Sequence, residues 1–129
     1  MQSPSRIAIK LLNSSPDYSH ARSIRGQSYL LMAKYKNAID DLKIAHKVDP
    51  ENATICLDLA DAYRNLQDNE NALAFYDKAA KIDEDNALIY YHRAQALTKM
   101  GKDDLAQADF KKAKELGYVA KQNLEKVKD

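Results

Sequence analysis

Residue types in this chain recur at a fixed interval of 34 residues, and this period constrains the fold more than any other feature. The seven residues KVDPENA at 47–53 are followed by KIDEDNA at 81–87. A period of about 20 to 50 residues is typical of repeat proteins, in which one supersecondary unit stacks on copies of itself. We therefore predict a stack of similar units.

Five register positions agree in residue type across three successive copies. The members of each position are Gly26, Ala60 and Ala94; Tyr29, Tyr63 and Leu97; Ala38, Ala72 and Ala106; Leu42, Tyr76 and Phe110; and Ala45, Ala79 and Ala113. Small residues allow helix backbones to approach one another, and bulky residues fill the space between them. The alternation predicts that these positions form the core.

Within each copy the apolar spacing is helical in two segments, which a short polar break separates. This pattern predicts three helix pairs. Asn52 and Asn86 are suited to cap the helices that follow them, and Gly101 and Gly117 stand where a left-handed helix ending would need glycine. We expect the first helices at 19–32, 53–66 and 87–100, and the second helices at 37–48, 70–82 and 103–116.

The composition favours helices and limits the classes of partner. The 129 residues include only three Gly and three Pro, which suits helices better than turn-rich sheets. A net charge of +1 gives no reason to expect nucleic acid or an anionic membrane as a partner. The single cysteine, Cys56, cannot form an intramolecular disulfide, which predicts a reducing, cytoplasmic location.

The repeated positions resemble the tetratricopeptide repeat (TPR), whose 34-residue signature combines Leu-Gly, Tyr, Ala, aromatic, Ala and Pro positions. The resemblance covers residues 19–52, 53–86 and 87–118, and it implies an all-α, right-handed superhelical solenoid of antiparallel helix pairs. The chain departs from the signature at the Leu position, where Arg25 and Arg93 stand, and at an opening aromatic position, which holds Arg22 and Cys56 in the first two copies. The closing Pro is kept only as Pro50. These departures concern local packing and leave the implied fold unchanged.

Both ends of the chain differ from the repeat. Residues 119–129 place Ala120, Leu124 and Val127 on one helical face, which predicts a helix that caps the last repeat. At the front, residues 1–18 contain a segment with the register of a second helix whose first helix is missing. This segment is either a native N-terminal cap or part of a longer repeat array.

The sequence contains no pattern that predicts catalysis, a metal or a cofactor. His20, His46, His92 and Cys56 lack the close spacing of a metal site, and the glycines form no phosphate-binding loop. The resemblance implies instead a protein-interaction module or scaffold that binds a peptide segment or partner helix in its concave groove. The residues that we predict for this groove are Gln27, Leu57, Asp58, Asp61, Arg64, Asn65, Tyr91, His92, Gln95 and Lys99. By register, the same concave face also carries His20, Ser23, Ile24, Leu30, Leu31, Thr54, Leu88 and Thr98.

The charges of this predicted groove bear on the partner. Relatives that bind acidic chaperone tails hold a carboxylate with Lys, Asn and Arg side chains. The matching positions here carry Ser23, Gln27, Asp58, Leu88 and His92. Because Asp58 would repel a carboxylate, we expect no tight binding of such tails. Asp58 and Asp61 favour a ligand with a basic or amide-rich centre, stacked on Tyr91.

A second hypothesis gives the chain a structural role. The apolar residues Ile7, Ile9 and Leu12 would drive weak homodimerisation, or docking onto another part of a longer repeat protein. The groove-binding hypothesis expects a monomer instead. An enzymatic function would require a partner domain outside this sequence.

Overall fold

The computed structural model describes residues 16–118, and the regular structure of that part of the chain is entirely α-helical. Its six helices form three hairpins: α1 (Pro16–Leu31), α2 (Tyr35–Val48), α3 (Ala53–Asn65), α4 (Asn69–Ile82), α5 (Ala87–Lys99) and α6 (Asp103–Glu115). Consecutive helices pack against each other, and α3 also touches α1 and α5. The predicted all-α solenoid of helix pairs is confirmed.

Side chains cap the N-termini of the helices in the middle of the stack. Asn52 Oδ1 accepts a hydrogen bond from Ile55 N at 3.2 Å, and Asn86 Oδ1 accepts one from Leu88 N at 3.1 Å. Both predicted caps are therefore confirmed. Asp68 caps α4 in the same way. Each cap satisfies a backbone N–H that has no partner inside its own helix.

The turn inside each hairpin contains one residue in the left-handed backbone region. These residues are Ala33, Gln67 and Gly101, with φ angles of 58°, 64° and 74°. Only the third hairpin has glycine there, the residue that adopts this conformation without a steric cost. Gly117, after α6, also has a positive φ of 97°. The two predicted glycine endings are thus confirmed.

The repeated small residues are buried among the packed helices. The alanines at two register positions are at most 1% exposed: Ala38, Ala72, Ala106, Ala45, Ala79 and Ala113. In the first hairpin, a Cβ atom on Gly26 would lie 2.7 Å from Leu42 Cγ, closer than side-chain packing allows. Cys56 is fully buried, as expected of a free cysteine that behaves as a small apolar residue.

Two register positions carry apolar residues in the second hairpin and oppositely charged residues in the other two hairpins. They hold Arg25 and Asp41 in the first hairpin, Leu59 and Phe75 in the second, and Arg93 and Asp109 in the third. Arg25 donates to both carboxylate oxygens of Asp41, at 2.6 and 2.7 Å. Arg93 donates to both oxygens of Asp109, at 2.7 and 2.9 Å. Asp41 and Asp109 are buried, so each arginine at the Leu position is matched by a carboxylate on the second helix.

Helix α1 begins earlier than the repeat pattern predicts. It starts at Pro16 instead of residue 19, because proline suits a first helical position, where its missing N–H has no partner to lose. Helix α2 starts at Tyr35, two residues before the predicted start, since the Ala38 N–H already bonds to Lys34 O. The other predicted ends agree within one residue. The predicted front segment and the capping helix at 119–129 lie outside the described residues.

Candidate functional site

All ten predicted groove residues lie on α1, α3 and α5, the first helices of the three hairpins. Seven of them line two neighbouring cavities, and they are Gln27, Asp58, Asp61, Arg64, Asn65, Gln95 and Lys99. An eighth, His92, contacts one of these seven directly. The structure therefore brings most of the predicted residues together along one surface.

The first cavity lies between the first and second hairpins and has a volume of about 450 Å³. Its lining combines apolar and polar side chains: Gln27, Leu30, Leu31, Tyr35, Asp58, Asp61, Arg64 and Asn65. Leu31, at the end of α1, is 91% exposed. The cavity thus offers an apolar wall beside two carboxylates.

The second cavity lies one repeat further along and has a volume of about 560 Å³. Its lining residues are Arg64, Asn65, Gln67, Asn69, Gln95, Thr98, Lys99 and Phe110. Six of these eight stand 34 residues after a residue that lines the first cavity, so the two cavities are equivalent by register. Arg64 and Asn65 line both, which makes them the wall between the two cavities.

Hydrogen bonds between neighbouring repeats fix the side chains of this surface. Gln27 Nε2 donates to Asp58 Oδ2 at 3.0 Å, and His92 Nδ1 lies 2.8 Å from Asp61 Oδ1. Both pairs are separated by 31 residues and join the first helix of one repeat to the first helix of the next. The same register contact is therefore made twice with different side chains.

Asp61 is the most connected carboxylate of the surface. Besides His92, it accepts a hydrogen bond from Tyr76 OH at 2.5 Å, and Arg64 Nε donates to the same hydroxyl oxygen at 2.9 Å. Burial and the charge of Asp61 raise the pKa of Tyr76, so the phenol stays protonated and keeps donating. Tyr76 therefore links the core to the groove.

Asp58 has a different electrostatic environment from Asp61. Burial raises the pKa of Asp58 to about 6, and the neighbouring Asp61 charge adds to this rise. The hydrogen bond from Gln27 and the charge of His92 oppose it. Asp58 therefore changes its charge over a mildly acidic pH range, where an ordinary aspartate stays ionised.

Family comparisons agree with the period and the hairpins. A family model described as TPR repeat matches residues 60–101, and a second, described as tetratricopeptide repeat, matches residues 87–116. This chain contains tetratricopeptide repeats. No curated protein matches the chain by sequence.

Several solved TPR structures are similar to this one. The second TPR of Spaghetti (RPAP3), bound to the HSP90 peptide SRMEEVD, is 26% identical with a TM-score of 0.74, over 76% of this chain and 91% of that chain. The Arabidopsis OM64 TPR domain is 25% identical with a TM-score of 0.77, over 79% and 84%. The first TPR of Spaghetti, at 21% identity and a TM-score of 0.79 over 90% and 92%, shows the shared fold.

Internal packing involves two of the predicted groove residues. Leu57 is only 8% exposed and belongs to the core. Tyr91 stacks on Tyr118, with ring centroids 4.2 Å apart, and meets Phe110 edge-on at 5.6 Å. Tyr91 therefore makes internal aromatic contacts with a residue of α6 and with Tyr118 just after it, and the stacking of a ligand on Tyr91 stays a prediction.

Four residues that line the cavities were not predicted. Tyr35, Asn69 and Phe110 lie on second helices, and Gln67 lies in a turn. The prediction considered only the first helix of each TPR, whereas these cavities extend to the point where the two helices of a hairpin meet. Tyr35 and Asn69 are 34 residues apart, so the register offered a signal for both.

The described part of the chain also limits other kinds of site. It contains no group of three or more His, Cys, Asp or Glu side chains that could hold a metal ion. Cys56 Sγ lies 3.8 Å from His46 Nδ1, but burial raises the pKa of Cys56 and lowers that of His46, so both favour their neutral forms. None of the described helices combines the length and apolarity needed to cross a membrane.

Proposed function

We propose that this chain is a non-catalytic protein-interaction module that holds a peptide segment of a partner protein along α1, α3 and α5. The observation that supports this proposal most directly is the pair of register-equivalent cavities that share Arg64 and Asn65. A segment lying across both would meet the apolar wall of the first cavity, and convergent polar groups in each cavity, one repeat apart. Such a mixture suits side-chain recognition of a peptide.

The comparison with the second TPR of Spaghetti supports a peptide as the class of ligand, because that domain is bound to a peptide in its structure. The acidic character of that peptide is not part of our proposal. In this chain Asp58 and Asp61 lie in the first cavity. We therefore propose a partner other than an acidic chaperone tail.

A random-peptide display selection tests the proposed function. The 129-residue chain serves as bait, and a selected peptide is then added to the isotope-labelled chain for NMR shift mapping. We expect enriched sequences, and the largest amide shifts at Asn65, Gln95 and Lys99. A selection without enrichment, or shifts confined to the second helices, would refute the proposal.

The acidic C-terminal part of the HSP90 peptide, MEEVD, which carries no cationic side chain, provides a separate test of partner class. Titration calorimetry should detect no binding tighter than about 100 µM, because the peptide's carboxylates would lie near Asp58 and Asp61 and no cation would offset them. The Asp58→Asn variant, which removes one of these charges, should bind no more weakly than the wild type. A low-micromolar dissociation constant for the wild type would show that this part of the proposal is wrong.

The oligomeric state and the compartment belong to the same proposal. A groove that binds a partner needs no second copy, so we expect a monomer by size-exclusion chromatography with light scattering. A dimer that persists on dilution would favour the alternative, self-association or docking through the N-terminal residues. The single buried Cys56 fits a reducing compartment such as the cytoplasm.

A further inference from the structure

The two cavities differ in charge although they are equivalent by register. Asp58, Asp61 and Arg64 line the first, whereas Arg64 and Lys99 line the second, where no acidic side chain is among the described lining residues. We propose that the groove binds an extended partner segment with a Lys or Arg side chain in the first cavity and an Asp or Glu side chain in the second. This inference rests on the proposed function and names the ligand class of the same groove.

The first cavity has the features that recognise a long cationic side chain. Within the described structure, the only hydrogen bond to the Asp58 carboxylate comes from Gln27, although a carboxylate has about four acceptor sites. Leu30, Leu31 and Tyr35 provide the apolar wall against which the aliphatic stem of Lys or Arg can pack. Charge and shape therefore favour the same ligand group.

The second cavity has the features that recognise a carboxylate. Arg64 is held in place by its bond to Tyr76 OH, and Lys99 is exposed with no acidic partner in the described part of the chain. Asn65 and Gln95 add amide donors to the two cations. Asn69 Oδ1 is buried there without a hydrogen-bond partner among described residues, but this atom is an acceptor and contributes nothing to the binding of a carboxylate. Charge-assisted bonds to a carboxylate would come from the N–H groups of Arg64 and Lys99.

The separation of the cavities sets the spacing of the two ligand side chains. The first helices of successive repeats contact each other, and packed helices lie about 8–10 Å apart, so we infer a similar distance from one cavity to its equivalent in the next repeat. In an extended segment of the polyproline II type, residues three positions apart point the same way and are separated by about 9 Å. We therefore expect the cationic and acidic residues three positions apart in the partner.

Peptide selections on charge variants test this inference. Dodecapeptides selected on the wild-type chain should pair Lys or Arg with Asp or Glu three positions away. Selections on Asp58→Asn should lose the cation preference and keep the acid, and selections on Lys99→Glu should lose the acid preference and keep the cation. A synthetic peptide from the wild-type selection should bind each variant about three to ten times more weakly, by fluorescence anisotropy.

Matched control variants carry the same charge changes outside both cavities. Asp40→Asn on α2 and Lys111→Glu on α6 alter exposed residues and should leave selected sequences and affinity unchanged. Thermal melts establish that all four variants fold. Selected peptides without the charge pair, or with the same pair on every variant, would overturn this inference and leave the proposed function standing. A wild-type selection with no enriched peptide would overturn both.

Proton linkage gives a second readout on the same peptide. Asp58 faces Gln27 from α1 and His92 from α5, with Asp61 on its own helix. A ligand cation beside Asp58 favours the ionised carboxylate, so affinity should fall as the pH is lowered through about 6. The Asp58→Asn variant should have a flatter pH profile. Equal slopes for the two proteins would contradict a cation at this position.

Discussion

At the scale of single residues, equivalent register positions carry different side chains and so acquire different properties. The contact between first helices is an amide–carboxylate pair at Gln27 and Asp58, and a histidine–carboxylate pair at Asp61 and His92. Both pairs make the same contact between the first helices of neighbouring repeats. Their side chains differ, and a ligand would therefore meet different polar groups at the two places.

The raised pKa of Asp58 leads to a pH-dependent effect of Asp58→Asn on stability. The pKa of Asp58 rises from 3.8 in the unfolded chain to about 6 in the folded chain. Its favourable contribution to the free energy of unfolding is therefore fully present below the unfolded-state pKa and is lost as the pH rises through the folded-state pKa. Asparagine does not titrate and makes no such pH-dependent contribution. Between about pH 4 and about pH 7.5, the variant should gain about 1–3 kcal/mol relative to the wild type. Urea unfolding of both proteins measures this, and a constant difference across pH would contradict it.

The left-handed turn residues allow a reciprocal exchange between repeats. Gln67→Gly should raise the free energy of unfolding by about 0.5–1 kcal/mol, because glycine removes the strain of a positive φ. Gly101→Gln imposes that strain and should lower it by about 1–2 kcal/mol. Chemical denaturation gives both values. Effects of the same sign would show that the backbone conformation is not the cause.

At the scale of helices and hairpins, one packing position accommodates either an apolar pair or an ion pair. Arg22 also donates to Asp41, at 2.9 Å, so the buried carboxylate of the first hairpin has two cationic partners. Burial alone would raise the pKa of Asp41, but the bonds and charges of Arg25 and Arg22 hold it below its usual range. Arginine is tolerated at the Leu position because the second helix supplies the opposite charge.

The third hairpin should accept the apolar pair of the second hairpin only if both residues change. Arg93→Leu alone leaves the buried Asp109 without its bidentate partner and should cost about 3 kcal/mol or more. The double variant Arg93→Leu/Asp109→Phe should lie within about 1 kcal/mol of the wild type.

A double-mutant cycle from urea unfolding measures the coupling between these two positions. The double variant should not recover all of the stability, because Arg93 also donates to Asp77 at 3.1 Å and lies over the ring of Tyr90, and both contacts are lost. The reciprocal variant, Leu59→Arg/Phe75→Asp, places the ion pair in the second hairpin and serves as the control. Additive effects at 93 and 109 would contradict the pairing.

At the scale of the whole described stack, each hairpin contacts only its neighbours. The middle hairpin therefore packs on both sides, and the outer hairpins have fewer described contacts. Helix α3 has seven buried residues and α6 has three. Local stability in repeat proteins depends on such nearest-neighbour interfaces, so it should vary along the stack.

Native-state hydrogen exchange should therefore show a gradient along the chain. Amides of α3 and α4 should exchange most slowly, and those of α6 should exchange faster, because opening the third hairpin breaks one described interface and opening the middle one breaks two. Mass spectrometry or NMR measures the rates under conditions that favour the folded state. Uniform protection of all three hairpins would show that the stack unfolds only as one unit.

Much of the fold and part of the groove could be predicted from the residues alone. The period located the hairpins within a few residues, and the register placed Asp58, Asp61 and Lys99 on one surface. The burial of Leu57 and the stacking of Tyr91 on Tyr118 were missed, because register identifies a helix face but does not specify how far the neighbouring hairpin covers it.

By itself, the sequence determined the repeat unit, its helical hairpins and the alternation of small and large core residues, because equivalent positions in a stack meet equivalent neighbours. Only the tertiary structure decided which side chains meet across 31 residues, how deeply Asp58 is buried and that two cavities share Arg64. These properties depend on how each hairpin packs against the next. A side chain's charge and accessibility are set by its neighbours in space, which no single repeat contains.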